Sequence, residues 1–230
     1  MSLHEQFADR SVWTGTVPAL EEAAPPRPLI REDSLEQILK RALDLAIALP
    51  LLVVLAPVLG AIALWIAGDS EGPVLFRQTR RGLGGKPFEI LKFRTMTVLE
   101  NGASVVQATQ NDPRVTAAGC VLRKTSLDEL PQLLNVIKGE MSLVGPRPHA
   151  LAHDDDYARR IEGYTLRQAV KPGITGWAQI NGSRGETPTL DSMKRRVRLD
   201  AWYASNASLA LDLEILARTP LEVLRGRNAH

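Results

Sequence analysis

Leu45 to Ala67 constrains this chain most. It runs 23 residues without a charged or strongly polar side chain, and Pro50 and Pro57 interrupt it. A straight helix of that length would rise about 34 Å, enough to cross a bilayer core of roughly 30 Å, and it exceeds the apolar run usual in a soluble core helix. Each interior proline removes a backbone hydrogen bond and presses its ring against the preceding turn, so a straight rod is not expected. Arg27, Arg31, Lys40 and Arg41 precede the stretch and Arg77, Arg80, Arg81 and Lys86 follow it, four cations on each side. That balance carries no positive-inside bias. A segment broken at Pro57 without charge asymmetry is expected to enter and leave on one face, as a re-entrant helix-break-helix in the lipid bilayer.

The rest of the chain divides around that stretch. Residues 1–32 carry Pro18, Pro25, Pro26 and Pro28 and no hydrophobic period, which predicts a flexible tail. Glu5, Asp9 and Arg10 stand where a secretory signal needs an apolar core, so no cleaved leader is expected. Over 33–68 an amphipathic helix begins at Asp33 or Ser34, with Leu35, Ile38, Leu39, Ala42 and Leu43 on one face, and feeds into the apolar stretch. Lys40 and Arg41 are expected at headgroup level, and Asp44 needs a partner or water there. Residues 69–230 are expected to form a helix-rich α/β domain.

Within that domain, Val74–Arg77 and Phe88–Phe93 flank Gly82-Leu83-Gly84-Gly85, which predicts a β-hairpin with a phosphate-accessible loop. A polar loop is expected over 100–115. Helices are expected near 131–138, 149–162, 190–204 and 208–224, with a strand or turn over 172–181. A net charge of +2 is compatible with anionic lipid or anionic substrates. The single cysteine, Cys120, excludes an internal disulfide and agrees with a reducing compartment. Lys194-Arg195-Arg196-Val197-Arg198 has no aromatic platform, so it reads as a solvated or membrane-facing helical face and no nucleic acid is expected.

Asp128-Glu129-Leu130-Pro131-Gln132 is the first place where chemistry is expected. Pro131 suits a first helical turn, which sets the two carboxylates at or just before a helix N-terminus whose dipole would keep Asp128 ionised and nucleophilic. Adjacent carboxylates allow one to attack phosphorus while the other holds a divalent cation. The same residues, Ser126 to Glu129, also match a helix capping box. Arg123, Arg147, Lys92 and Arg94 lie near them in sequence, and guanidinium groups bind phosphate bidentately. Pro146 and Pro148 would hold Arg147 in a stiff extended loop. Asp154-Asp155-Asp156, with His149 and His153, is a second metal candidate, of the kind an ordinary glycosyltransferase releasing UDP would use.

In order along the chain, the pieces resemble the bacterial sugar transferase family, the small monotopic phosphoglycosyl transferases. The runs that carry the resemblance are Lys40-Arg41-Ala42-Leu43-Asp44, Ala56-Pro57-Val58, Gly72 to Gln78, Lys92-Phe93-Arg94-Thr95-Met96, Ser126 to Val136, Gly139 to Pro148 and Lys171 to Trp177. They cover about residues 38–225. One departure is Ala56 before Pro57, where the family usually has Ser-Pro, so the break rests on proline without a serine hydroxyl to satisfy a freed carbonyl.

The resemblance implies a monotopic protein of the bacterial inner membrane whose catalytic domain faces the cytoplasm. It implies transfer of a sugar 1-phosphate from a UDP-sugar to polyprenyl (undecaprenyl) phosphate with release of UMP, as the first membrane step of exopolysaccharide or capsule synthesis. Asp128 matches the nucleophile that forms an aspartyl-phosphosugar intermediate, Glu129 the Mg²⁺-associated carboxylate, and Arg123 and Arg147 phosphate-contacting positions. His149 to His153, Gly176 to Gly182 and Arg184 to Thr187 are similar to the glucose branch. Relatives often carry an extra multi-span N-terminal region, and this chain resembles the catalytic module alone. A galactose 1-phosphate transferase, or a non-catalytic membrane assembly subunit for polysaccharide export, stands as the alternative. Sugar identity and any homo-oligomer stay open at this level.

Overall fold

Residues 35–97 and 112–224 are described in the computed structural model. The expected tail, the helix start at Asp33 or Ser34 and most of the expected 100–115 loop lie outside these residues.

Leu35–Asp69 forms one helix of 35 residues, α1, which continues through Pro50 and Pro57. By length and composition α1 is apolar enough to cross a membrane. Its inner stripe recurs every three or four residues: Asp44, Ala48, Leu52, Leu55, Leu59, Ile62 and Ile66 are buried or partly buried. The opposite face leaves Val53, Val54 and Leu64 at least 70% exposed. An apolar row of that kind on one helix face is the mark of an interaction surface.

Both ends of α1 are fastened to the same body. Lys40 Nζ lies 2.5 Å from Asp212 Oδ2 and donates to the Val144 carbonyl at 3.2 Å. The Arg41 guanidinium donates to the carbonyls of Val136 at 2.6 Å and Ile137 at 2.7 Å. Asp44 finds the partner it needed, accepting from Ser142 Oγ at 3.0 Å and from the Leu143 N–H at 2.9 Å. At the far end Asp69 accepts from the Ala118 N–H at 3.2 Å, and Arg94 donates to the carbonyls of Ile66, Ser70 and Glu71. Lys40 and Arg41 are therefore docked into protein rather than set at headgroup level.

Strands β1 (Leu75–Arg81) and β2 (Pro87–Phe93) form the expected antiparallel hairpin, with Gln78 opposite Ile90 and Phe76 opposite Lys92. Gly84 and Gly85 turn the chain at φ 62 and 75, the left-handed region that glycine occupies without strain. The hairpin tip packs against the 3₁₀ turn Tyr164–Ala169, so the glycine loop is a structural corner.

Helix α2 (Ala117–Thr125) was not expected; Thr116 caps it through its hydroxyl. Helix α3 (Gln132–Lys138) lies where predicted. A second, parallel pair joins β3 (Ser142–Val144) to β4 (Gly173–Thr175), with helix α4 (Leu151–Arg160) between them in sequence. The pair is tight: a Cβ on Gly173 would lie 2.1 Å from Gly145 N, so the close approach requires glycine. The short helix α5 (Trp177–Ile180) leads to α6 (Leu190–Asn206) and α7 (Leu209–Leu224), both close to prediction. The main core gathers Val136, Met141, Leu143, Trp177, Leu199 and Ile215 with Ala48 of α1.

Candidate active site

A cleft of about 630 Å³ is walled by the inner face of the hairpin, the turn Leu127–Glu129, the loop after β3, the segment 184–187 and Leu51 of α1. The sequence builds it from short-range rules. On β1, Phe76, Gln78 and Arg80 recur at the two-residue period of a strand, and on β2 Ile90 and Lys92 do the same, so one hairpin face lines the cleft. β3 ends at Val144, and Gly145 N–H donates to the Thr175 carbonyl at 2.9 Å while Gly173 N–H donates to the Pro146 carbonyl at 3.0 Å. These bonds staple the proline-flanked loop to β4 and fix where Arg147 leaves the backbone.

Asp128 does not sit on a helix N-terminus. It lies in the 3₁₀ turn Leu127–Glu129, and α3 begins later, with Pro131 at its N-cap. Ser126, at φ 59, closes α2 and makes no side-chain cap bond, so the capping box does not form. The dipole argument for an ionised Asp128 therefore gives way to burial. Burial first, then the charge of Glu129, raise the Asp128 carboxyl to about 6, against the pull of Lys92, Arg147 and Arg123.

Glu129 meets the opposite balance. Burial alone would raise it, but Arg147 and Lys92, through charge and hydrogen bonds, hold it well below the usual carboxylate range. Lys92 Nζ lies 2.7 Å from Glu129 Oε1, and Arg147 Nη1 lies 2.8 Å from Oε2, while Arg147 Nη2 also donates to Oε1. This fork is the bidentate geometry of guanidinium and carboxylate. Glu129 in turn raises Arg147, whereas burial lowers Lys92 despite its partner. The site thus pairs one carboxylate that its cationic partners favour in the charged form with one whose carboxyl burial raises.

Of the expected phosphate contacts, Lys92, Arg123 and Arg147 line this cleft together with Asp128 and Glu129. Arg123 also contacts Met96, with Nη1 3.6 Å from the sulfur. Arg94 does not join them. It is buried, and its guanidinium closes the C-terminal carbonyls of α1. Gly82 to Gly85 lie outside the cleft as well.

Three cations were missed. Arg80 donates to the Pro148 carbonyl at 2.9 Å and to Gln78 Oε1; burial first and Arg147 second lower it to about 10. Arg196, expected on a solvated or membrane-facing helical face, is buried against the cleft and donates to the carbonyls of Ser183 at 3.1 Å and Gly185 at 2.5 Å. Its position three after Met193 and one before Val197, both buried, was the signal. Arg184 Nη2 donates to Ser126 Oγ at 2.7 Å.

The Asp154–Asp156 metal candidate dissolves into separate contacts. Asp154 accepts from Tyr164, Asp155 pairs with Arg81 at 2.7 Å, and Asp156 pairs with Arg160 at 2.9 Å. Among the described residues no group of three or more metal-ligating side chains comes together.

Comparison with known proteins places the sequence in a family. The family model described as "Bacterial sugar transferase" matches residues 35–226. A protein of Escherichia coli (strain K12) is 57% identical over 183 residues, covering 80% of this chain and 39% of that protein. One of Klebsiella pneumoniae is 48% identical over 198 residues, covering 86% of this chain and 43% of that protein. One of Caulobacter vibrioides is 52% identical over 191 residues, covering 83% of this chain and 72% of that protein. All three bear the name UDP-glucose:undecaprenyl-phosphate glucose-1-phosphate transferase. The chain spans less than half the length of the first two. With the family match running from the start of α1 to the end of α7, the chain belongs to the bacterial sugar transferase family.

Proposed function

We propose that this chain transfers a hexose 1-phosphate, glucose 1-phosphate in the first place, from a UDP-sugar to polyprenyl phosphate and releases UMP. The observation that carries the reading is the carboxylate pair lining the cleft: Asp128 beside Glu129, whose carboxylate Arg147 and Lys92 pair with directly. The name shared by the three relatives supports the same chemistry.

In the proposed reaction an Asp128 carboxylate oxygen attacks the sugar-linked phosphorus. A phosphorus–oxygen bond forms, the bond to the bridging oxygen breaks, and UMP leaves with the electron pair. An oxygen of polyprenyl phosphate then attacks the same phosphorus and frees Asp128, giving a polyprenyl diphosphate sugar. With its carboxyl near 6, Asp128 is mostly ionised at neutral pH, yet buried enough to be poorly solvated and therefore reactive. Cations lining the cleft offset the repulsion between an anionic nucleophile and an anionic diphosphate.

Mg²⁺ fits the donor chemistry present. Among the described residues Glu129 Oε2 accepts one hydrogen bond and keeps a lone pair, and hard oxygens of carboxylate and diphosphate are what Mg²⁺ takes. When bound there it would neutralise charge developing on the diphosphate.

The membrane reading concerns α1. A helix that crossed the bilayer fully would carry its two ends to opposite sides, whereas Lys40, Arg41 and Asp44 at one end and Asp69 at the other dock on one body. This supports a monotopic arrangement in which α1, unbroken at Pro57, lays its exposed apolar face in one leaflet, with the cleft facing the cytoplasm as part of the proposal. Leu51 brings α1 into the cleft wall, where a lipid-linked phosphate can reach Asp128 from the membrane side.

The test is purified full-length protein with polyprenyl phosphate, Mg²⁺ and a panel of UDP-sugars. UMP release is expected, fastest with UDP-glucose. Release of UDP instead would replace this chemistry with that of a conventional glycosyltransferase.

A further inference from the structure

Asn135 is fully buried on α3 and lies outside the cleft lining. β1 occupies one edge of β2, and the Asn135 side chain meets the other. Its Oδ1 accepts from the Leu91 N–H at 2.9 Å, and its Nδ2 donates to the Glu89 carbonyl at 2.6 Å. These two backbone groups flank Ile90, so one carboxamide supplies the acceptor and the donor that a neighbouring strand would supply. The second Nδ2 proton goes to Glu140 Oε2 at 2.7 Å. Both amide protons and the amide oxygen are thus in use, and all three contacts require this one orientation of the amide.

The clamp bears on the active site through its nearest neighbours along the chain. Lys92 follows Leu91 directly and lines the cleft, where its Nζ lies 2.7 Å from Glu129 Oε1. Glu129 ends the 3₁₀ turn that packs against β2, and the chain runs from there through Leu130 and Pro131 into the helix that carries Asn135. β2 and this turn-helix unit are therefore joined twice, by the ion pair in the cleft and by the buried amide. Glu129 is not free to follow a shift of β2, because Arg147 forks its carboxylate. A slip of β2 by one residue would carry Lys92 to the opposite face of the strand. By binding the Glu89 carbonyl and the Leu91 N–H together, the amide fixes where the strand stands.

We propose that Asn135 is a positioning residue of the transferase: its carboxamide sets β2 against α3 so that Lys92 stands on Glu129 in the clamp that receives the substrate diphosphate. Asn135 acts through Lys92 and touches no reacting atom. The proposal rests on the phosphoglycosyl transferase reading given above. A residue that merely closed the edge of β2 would add stability without regard to Lys92, and the test reads that difference.

The experiment is a double-mutant cycle on the full-length chain, with wild type, Asn135→Ala, Lys92→Met and the two together. Asn135→Asp serves as a second replacement that keeps the shape and the acceptor for Leu91. UMP release from UDP-glucose gives kcat/KM, and calorimetry with Mg²⁺ present gives the affinity for UDP. Asn135→Ala should lower kcat/KM about tenfold alone but less than about twofold beside Lys92→Met, where the contact it supports is already gone. UDP affinity should show the same dependence on background, and Asn135→Asp should repeat the pattern, in variants that melt well above the assay temperature. Equal fold-losses in both backgrounds mark a residue that only holds the fold, and they overturn the proposal. So does failure of both Asn135 variants to fold. If wild type releases UMP from no UDP-sugar, the transferase reading fails, while the UDP cycle still decides whether Asn135 acts through Lys92.

Discussion

Acidification should switch off the first half-reaction as Asp128 takes up a proton, and removing the charge of Glu129 should move the point at which this happens. Burial and Glu129 raise the Asp128 carboxyl to about 6. An ordinary aspartate lies near ~3.9, so ionising Asp128 in the cleft costs about 3 kcal/mol more than in water. At pH 7 about nine molecules in ten carry the charged nucleophile, and at pH 5 about one in ten. The carboxylate attacks and the acid does not, so kcat/KM should be level above about 6 and fall roughly tenfold for each pH unit below it. Glu129→Gln removes the second-largest influence that raises Asp128 and leaves Arg147 and Lys92 to act on it without their counter-ion. The acid limb should then move to lower pH, even though the variant is slower overall.

The assay is the initial rate of UMP release at low UDP-sugar concentration across the acid range, since kcat/KM reports the groups of the free enzyme. Two cations left unpaired in a part-buried site can cost about 3–5 kcal/mol of stability, so folding of the variant is followed by circular dichroism at the assay temperature. A wild-type limb absent near pH 6, or a midpoint identical in wild type and Glu129→Gln, would refute the electrostatic account of the pair.

Arg147→Ala should lower the rate by about 2–4 kcal/mol, read as kcat/KM, whereas Lys194→Ala, an exposed side chain 4.0 Å from Asp191, should stay near wild type. Equal effects would reduce Arg147 to a surface charge. Arg94→Ala should behave differently from Arg147→Ala, lowering thermal stability by about 1–3 kcal/mol while leaving KM for the UDP-sugar unchanged, because its guanidinium closes the end of α1; a raised KM would return Arg94 to the phosphate site. Cysteines placed at the exposed positions Glu36 and Glu71 should both resist labelling from the outer face of intact cells, and labelling of one alone would mean a full span. A chelator should abolish turnover and Mg²⁺ restore it; full activity in its presence would remove the cation from the reading.

Much of the site could be read from local pattern. The hairpin, α3 and the last two helices followed from periodicity and turn residues, and Lys92, Arg123, Asp128, Glu129 and Arg147 do share one cleft. Arg94 illustrates where local pattern stops. The two-residue period would keep it on the face of Lys92, but β2 ends at Phe93, and Arg94 turns to the carbonyls of α1 instead. α2 escaped notice because Ala117, Ala118 and Gly119 give a weak apolar signal. Gly119 is there for fit, since a Cβ would stand 2.1 Å from the Thr95 carbonyl oxygen. The poise of Asp128 was likewise out of reach, because it depends on burial and on partners 36 residues away at Lys92 and 19 away at Arg147. The docking of Lys40 on Asp212, 172 residues distant, belongs to the same class of long-range contact.

The most direct measurement is mass spectrometry of the protein after incubation with UDP-glucose and Mg²⁺ in the absence of polyprenyl phosphate. The account predicts release of up to one equivalent of UMP and a hexose phosphate on the peptide that contains Asp128. Asp128→Asn should show neither, while still entering membranes. A fully active Asp128→Asn enzyme, or a hexose phosphate carried by another residue, would contradict it.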